Sequence, residues 1–520
     1  MTWSHGYFAE SGYTYGFYPE QSPEIISLAA LINGHRPPDL NAPFRYLDLG
    51  CGQGFHLCLL AACYPHASFT GIDLNPEHIA HGRHLAARAG LQNIQFLRGD
   101  FVRLAQDPPR DWPPFDLACA HGVATWVSPE VREAMVSLAS QLVREGGLFY
   151  VSYNTMPGWL GMVPFQHAVN SFQSRESAGA ESLRAATAFF GSLKEASASL
   201  FQYQPDLAAR LALLPRQDGS YLLQEYNHQC WQPAFVDSMI NDLASGGFNY
   251  LGSATLPENF DGLLPPAQRD LVTAQADRAL AELCRDLLVN KGFRRDVYAK
   301  GRDPIWRREM ELTIDRIQVI SLVSVNQVTD EAFEFKTTMG EIKGRPEHFR
   351  AMLKEMEMGP ISIGELRQRL DPGHVVESAG EDPTRTSQAH LLQNLALCLQ
   401  ARLVGLVPVH NPDPGPAQRF NQVITETTSA GAPYQAVALP LAGNGLMLGD
   451  LELLVLEGSR HYQPDQLSDH LARTLKILGR SLSQEGQRLE GETLKARLQE
   501  LVIQVQERRL PLLRRLGAWA

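Results

Sequence analysis

The stretch from residue 45 to residue 153 constrains this chain most, because two different periodicities alternate there in strict order. Apolar runs of strand length (RYLDLG, PHASFTGIDL, IQFLRGD, FDLACAHG and LFYVSYN) are separated by segments of helical patterning. Those segments include FHLCLLAACY, PEHIAHGRHLAARAG and VREAMVSLASQLVREGG. Strands joined by helices of this length form βαβ units, which bury a parallel sheet between helical layers. The crossovers are then right-handed, and a ligand sits at the carboxyl ends of the strands.

The first strand ends in YLDLGCGQG, with Asp48 ahead of Gly50, Gly52 and Gly54. A glycine turn lets backbone approach a ligand where a Cβ would clash. The helix that follows points its N-terminal N–H groups at the same place. The spacing is D-x-G-x-G-x-G, not the G-x-G-x-x-G that cradles a pyrophosphate. An acid before the first glycine suits an ammonium group, which S-adenosylmethionine carries without any phosphate. The second strand ends at Asp73-Leu74, where a carboxylate can accept both ribose hydroxyls. The third ends at Asp100-Phe101, an acceptor for the adenine amino group beside a ring that can cover the base. These acids on successive strand tips predict an α/β, Rossmann-like, doubly wound and mostly parallel sheet that binds S-adenosylmethionine.

Beyond the fifth strand the pattern changes. Residues 156–220 read as a helical insertion lying over the carboxyl edge as a lid. SYLLQEYN and the run after Gly246-Gly247 are expected to complete the sheet, so the binding domain spans 1–255. Residues 256–340 read as a connector and middle region: 257–310 is mostly helical and ends in FRRDVYAKGRD, and a hairpin of IQVISLVSV with EAFEFKTTMG follows near 316–340. The remainder, 341–520, reads as an α+β accessory domain, winged-helix-like: three helices, then strands at GLVPVH and AVALPLA. A DNA-binding wing is disfavoured, because Arg345 to His410 holds seven Lys/Arg against eight Asp/Glu. Leu494, Leu498, Leu501 and Val505 form a short seam on the last helix. A helix docked on its own domain is the first reading, and a homodimer helix the second.

At roughly 150 residues per domain, 520 residues suggest three or four units. The net charge of −11 argues against a broad nucleic-acid coat. The seven cysteines show no CxxC pair and read as reduced, with no metal site. No signal peptide is legible in MTWSHGYFAESGY, and no apolar run reaches the ~18 residues of a membrane span. A cytoplasmic protein is expected.

Residues 45–153, with the REGG turn before the fifth strand and a helix–strand return at 232–255, resemble class I S-adenosylmethionine-dependent methyltransferases. The resemblance implies cofactor contacts at Asp48, Gly50, Gly52, Asp73, Asp100 and Phe101. A narrower resemblance rests on YTYGFYPEQSP, AHGVATWVSP, VSYNTMPGW, EYNHQCWQPAFVDSMI and FRRDVYAKG. These look like bacterial proteins with a methyltransferase regulatory domain, a group similar to the lysine methyltransferases that modify an outer-membrane protein. That likeness assigns roughly 212–300 to the regulatory domain, in conflict with placing 221–255 in the catalytic sheet.

Around the methyl group, His121 ends the fourth strand, where it can contact the cofactor and position a nucleophile or take its proton. Asn154 and Trp159 follow the fifth strand. One of Tyr13, Tyr15 and Tyr18 is expected to close the pocket. Glu225 and Tyr226 are placed on the strand after the insertion, Glu225 as a candidate base. His78, His81 and His84 read as a solvated helix face. The function expected is methyl transfer, with a protein lysine amine ahead of a small molecule as acceptor. A cofactor-binding scaffold without catalysis is the alternative from another class.

Overall fold

In the computed structural model, the described residues are 3–4, 7–8, 15–173, 179–216, 219–226, 228, 230–370, 387–408, 413–484 and 487–520. After α1 (Pro23–Ile32), the alternating region forms β1 (Arg45–Leu49), α2 (Phe55–Cys63), β2 (Ser68–Asp73), α3 (Pro76–Arg88) and β3 (Ile94–Arg98). It continues with α4 (Phe101–Gln106), β4 (Phe115–His121), α5 (Pro129–Leu142) and β5 (Val143–Asn154). Next come α6 (Val163–Phe172), α7 (Ala180–Glu195), α8 (Ser199–Tyr203), α9 (Pro205–Leu213), α10 (Gly219–Tyr226) and α11 (Val236–Ser245). The sheet is completed by β6 (Phe248–Ser253) and, after α12 (Pro266–Thr273) and α13 (Arg278–Val289), by β7 (Phe293–Lys300). Its seven strands run β3-β2-β1-β4-β5-β7-β6. The strands β1 to β5 pair in parallel, and β7 runs antiparallel to both of its neighbours. The order reverses between β1 and β4, so a crevice opens at their carboxyl ends.

Two expectations about the last strands are corrected. SYLLQEYN is not a strand: Gly219–Tyr226 is helical, and Glu225 and Tyr226 lie on that helix. The missing strand is FRRDVYAK, which the sequence reading left in the connector, so the sheet extends past residue 255. Its charges look wrong for an interior strand until their partners are seen. Arg294 is buried and donates to Asp296 at 3.0 Å, Asp286 at 2.7 Å and Glu282 at 3.0 Å. Arg295 at the next position meets Glu20 at 3.6 Å. A buried guanidinium is tolerable only when its donors are satisfied in this way.

Helix α2 is apolar on every side, and all nine of its residues are buried. A helix of that kind needs cover all round. The sheet covers one side. The C-terminal unit covers the other, with Tyr434 stacked on Phe55 at 5.0 Å and Phe420 at 6.0 Å. One continuous core therefore runs from Ile26 to Trp519. The insertion α6–α10 has a small core of its own, built on Phe165, Val169, Phe190, Leu207 and Tyr226.

The C-terminal unit contains α14 (Arg307–Arg316), β8 (Gln318–Ser321), a hairpin of β9 (Glu334–Thr337) and β10 (Gly340–Lys343), and α15 (Pro346–Glu357). It continues with β11 (Ile361–Ser362), α16 (Ile363–Arg369), α17 (Gln388–Gln400) and β12 (Val404–Val407). The expected hairpin of IQVISLVSV with EAFEFKTTMG is not formed. β8 instead sits between β11 and β12, and Glu334–Thr337 pairs with Gly340–Lys343. Three helices, α15 to α17, precede β12 as expected, but β12 does not pair with the next strand to make a wing. The strand after β12 is α18 (Gly415–Ser429) away, and β13 (Ala436–Leu439) pairs with β14 (Asn444–Met447). The chain ends in α19 (Asp450–Gly458), α20 (Pro464–Ile477), α21 (Gly491–Gln504) and α22 (Leu510–Arg515). Leu498 and Val505 of the C-terminal seam are buried in the chain's own core, with Leu494 and Leu501 packed against it. None of the seven cysteines is disulfide-bonded. Among the described residues no helix is long and apolar enough to cross a membrane.

Candidate active site

The glycine turn bends where β1 stops, and backbone bonds fix the bend. Gly50 and Cys51 donate their N–H groups to the Ile72 carbonyl at 2.8 and 3.0 Å. Gly50 has φ +82°, and a Cβ there would also come within 2.5 Å of Val123. Gly52 donates its N–H to Asp73 Oδ2 at 2.9 Å, so the turn and the tip of β2 are tied together. Asp73 Oδ1 accepts from the Asn75 N–H at 2.8 Å and lies 3.2 Å from His78 Nδ1. Asp100 caps α4 through the Val102 N–H at 2.9 Å.

These tips enclose a cleft of about 800 Å³, open mouth included, lined by Gly50, Gly52, Asp73, Leu74, Asp100, Phe101 and His121 among others. That volume lies within the usual range for small-molecule sites. Two expected contacts are placed differently. Gly54 is absent from the lining, and a Cβ there would strike the Phe96 ring at 2.6 Å, so it serves close packing of helix on sheet. Asp48 stands just behind the turn, 5% exposed. Burial, and secondarily Asp73, push its carboxyl up to about 7, with no cation among the causes. A buried acid behind a glycine turn fits a ligand that brings its own positive charge.

His78 was missed. It was expected on a solvated face, yet it is 1% exposed, bonded to Asp73, and lines the cleft. His81 is also engaged, with the Gln53 carbonyl at 2.6 Å and the Tyr434 hydroxyl at 2.7 Å. Only His84 of the three is exposed. A histidine five residues after a strand-tip acid, in the first turn of the following helix, was the available signal.

His121, with Gly122 and Trp126, also lines a second and larger chamber of about 1680 Å³, open mouth included. Its other walls bring together Tyr18, Asn154, Trp159, Arg210, Glu225, Tyr226, Phe293 and Arg295. The insertion therefore walls this chamber through Trp159, Arg210 and Tyr226. His121 Nδ1 meets the hydroxyls of Tyr150 and Ser152, each at 2.9 Å. Burial, then the charges of Arg295 and His56, hold its imidazole well below its ordinary pKa, so the ring is neutral. The Tyr18 ring covers it, with centroids 3.9 Å apart. Asn154 Nδ2 donates to Glu225 Oε1 at 2.6 Å, and Trp231 Nε1 donates to the same oxygen at 3.2 Å. Glu225 is 3% exposed. Tyr13 lies outside the described residues. Phe293 and Arg295 were missed because β7 was not recognised as a strand. Among the described residues no cluster of His, Cys, Asp or Glu is arranged to hold a metal ion.

Residues 47–147 match a family model described as a methyltransferase domain, and residues 218–300 one described as a predicted methyltransferase regulatory domain. The uncharacterized protein sll1526 of Synechocystis is 29% identical over 520 residues, covering 99% of this chain and all of that one. The trans-aconitate 2-methyltransferase of Methylobacterium nodulans is 36% identical over 109 residues, 21% of this chain and 38% of the relative. Among solved structures, PKMT2 from Rickettsia typhi in complex with AdoHcy shares the fold at a TM-score of 0.68 and 19% identity, over 95% of this chain and 98% of that one.

The strand order, the glycine turn and the matched methyltransferase domain define a class I S-adenosylmethionine-dependent methyltransferase, and S-adenosylmethionine is its cofactor. More particularly, the chain is one that carries a methyltransferase regulatory domain. Residues 218–300, which that family model matches, contain β6 and β7 of the sheet.

Proposed function

We propose that the enzyme methylates a lysine amine on a protein. The observation that carries this reading is the open chamber beyond His121, with aromatic walls and one buried carboxylate, Glu225. Aromatic faces and a carboxylate attract an ammonium ion. Such a chamber fits a side chain entering on a polypeptide better than a small molecule sealed in an apolar pocket. The name of PKMT2 is compatible with this reading. The C-terminal unit would take part in holding a protein partner; no role for nucleic acid is proposed, and a homodimer is not required.

The cofactor would be held by Asp73 and Leu74 at the ribose, by Asp100 and Phe101 at the adenine, and by Gly50 and Gly52 along the turn. Asp48 would face its ammonium, and Gly54 would act only through packing. When bound, S-adenosylmethionine supplies an electrophilic methyl group whose bonding electrons return to sulfur as the new bond forms. The chain contributes orientation and exclusion of water. A lysine must first lose a proton, which from an ordinary pKa near 10.4 costs roughly 4.6 kcal/mol at pH 7. Burial between Tyr18, Trp126 and Tyr226 lowers that cost by disfavouring the charged amine. Glu225 acts the other way, favouring the cation, so we assign it to docking rather than to proton removal. Asn154 orients Glu225. His121, held at Nδ1 by the hydroxyls of Tyr150 and Ser152 and neutral, would position the amine rather than act as a strong base.

The test is incubation of the full chain with labelled cofactor, a bacterial extract and unfolded outer-membrane proteins. Label in protein, with one-methyl mass steps on lysine, is expected. Label confined to low-molecular-weight products would overturn the lysine reading and leave the small-molecule one.

A further inference from the structure

Segment 15–22 runs between the acceptor chamber and the C-terminal unit. On one side Tyr18 covers His121. On the other, the Phe17 ring packs against the Arg402 guanidinium, 5.1 Å from the ring centroid. The backbone between and after them is also held from the C-terminal unit. Asn444 Nδ2 donates to the Pro19 carbonyl at 3.0 Å, and Ser22 Oγ donates to the Gly443 carbonyl at 3.1 Å. Tyr15 meets the edge of Tyr434 at 5.3 Å. From the catalytic sheet the segment receives Arg295, paired with Glu20 at 3.6 Å. Arg295 also walls the chamber.

Arg402 occupies an unusual place. It follows α17 with φ +57°, the left-handed region where glycine is unstrained and a branched side chain is not. Its Nη1 is buried and has no hydrogen-bond partner. The turn alone would be served better by glycine, and the guanidinium is not placed by hydrogen bonds at Nη1. Its guanidinium packs on the Phe17 ring, with the charges of Glu20 and Arg295 also within electrostatic reach. A strained backbone that carries a side chain onto the connection between the chamber and the C-terminal unit argues for a role in that contact.

We infer that Arg402 is a positioning residue: it seats Phe17 and, through the adjoining residue, holds Tyr18 over His121, so that the C-terminal unit sets the closure of the acceptor chamber. The inference rests on the reading of that chamber as the acceptor site, and its closing experiment has a part that needs no acceptor.

Full-length Arg402→Gly, Arg402→Lys and Gly445→Ala are compared with the wild type. A methyl group at Gly445 would lie 2.8 Å from the Phe17 ring and 2.9 Å from Leu59, a wedge against the same contact from another residue. Chymotrypsin, which can cut after Phe17 but not between Tyr18 and Pro19, reads the release of the segment; mass spectrometry locates the cut. Arg402→Gly should melt no lower than wild type, because its turn is relaxed, yet be cut at 17–18 at least about tenfold faster. Its methyl transfer should fall mainly through a raised KM for the acceptor, with cofactor affinity unchanged. Arg402→Lys, which keeps a cation over the ring, should retain most of the protection, and Gly445→Ala should lose it. Wild-type cleavage rates in both Arg402→Gly and Gly445→Ala would overturn the inference. So would a lowered melting temperature with cuts scattered along the chain, which would make Arg402 a general support of the fold. Faster cutting at 17–18 with unaltered transfer kinetics would break the link from this segment to the chamber, whatever the acceptor proves to be.

Discussion

In the protein alone, burial and the neighbouring Asp73 raise the Asp48 carboxyl to about 7. The unfolded chain would leave it near its ordinary 3.8. A ligand ammonium placed against it would restore the carboxylate, so binding between about pH 4 and pH 7 must expel a proton. Each pKa unit corresponds to roughly 1.4 kcal/mol, and recovering about three units gives a coupling of up to about 4 kcal/mol. That figure is an upper bound, since the two acids share one field. Calorimetry with S-adenosylhomocysteine from pH 5.5 to 8.5, in buffers of different ionisation heat, reads both affinity and protons. Affinity should rise by about tenfold per pH unit below 7 and level off above it, with about one proton released at pH 6. Asp48→Asn should flatten the profile and weaken binding at pH 8. The stability sign is opposite. A carboxyl raised in the folded state binds a proton that the unfolded chain lacks, so the protein alone loses stability as pH climbs from about 4 to about 7. Asp48→Asn should therefore melt above the wild type at pH 8 when no cofactor is added. Equal wild-type affinity at pH 5.5 and 8.5, without proton release, would refute the pairing of Asp48 with the ammonium.

Asp73→Ala removes a carboxylate that accepts two backbone N–H groups, and should weaken cofactor binding by about tenfold or more, or roughly 1.4 kcal/mol; titration calorimetry at wild-type strength would contradict the ribose assignment. His121→Gln should keep cofactor affinity and lose about a hundredfold or more in turnover, measured by labelled-methyl transfer. Glu225→Gln should raise the KM for a lysine acceptor several-fold with little change in kcat, whereas a base would lose kcat instead. A fragment ending near residue 340 strips Phe420 and Tyr434 from Phe55 and should aggregate or bind no cofactor; a soluble, cofactor-binding fragment would show that the core divides.

What could be read from the chain follows from how local each signal is. Strands β1, β2, β4 and β5 are largely apolar because they are buried in the sheet, the edge strand β3 less so, and the strand tips carry the acids within one or two residues of the strand end, so sequence order alone locates Asp48, Asp73 and Asp100. His121 follows by the same rule. β7 could not be read that way. Its Arg294 and Asp296 are interior only because Glu282 and Asp286 arrive from α13, a non-local compensation. SYLLQEYN carries strand-like residues, but its tertiary setting makes it helical, with Tyr226 packed at 5.2 Å against Phe165 of the insertion. His78 was assigned to solvent because a three-residue step drifts around a helix. One member of such a set can still point inward, and here the acid of the preceding strand tip gives it a partner.

The wing was the other misreading, and its cause bears on function. The strands at GLVPVH and AVALPLA are separated by α18 and do not pair with each other: β12 pairs with β8, and β13 with β14. The second of these hairpins lies against α2, and Tyr434 just before it stacks on Phe55, the first residue of that helix. Phe55 directly follows the glycine turn. The same hairpin presents Asn444 to Pro19 of the segment that covers His121. A winged helix free to bind elsewhere would need its strands at the surface, whereas these are buried against the catalytic unit. The C-terminal unit thus touches the active site from two sides, through the helix that begins at the glycine turn and through the segment above His121. Perturbing its core should therefore alter cofactor affinity and acceptor access together, even though none of its residues lines the cofactor cleft.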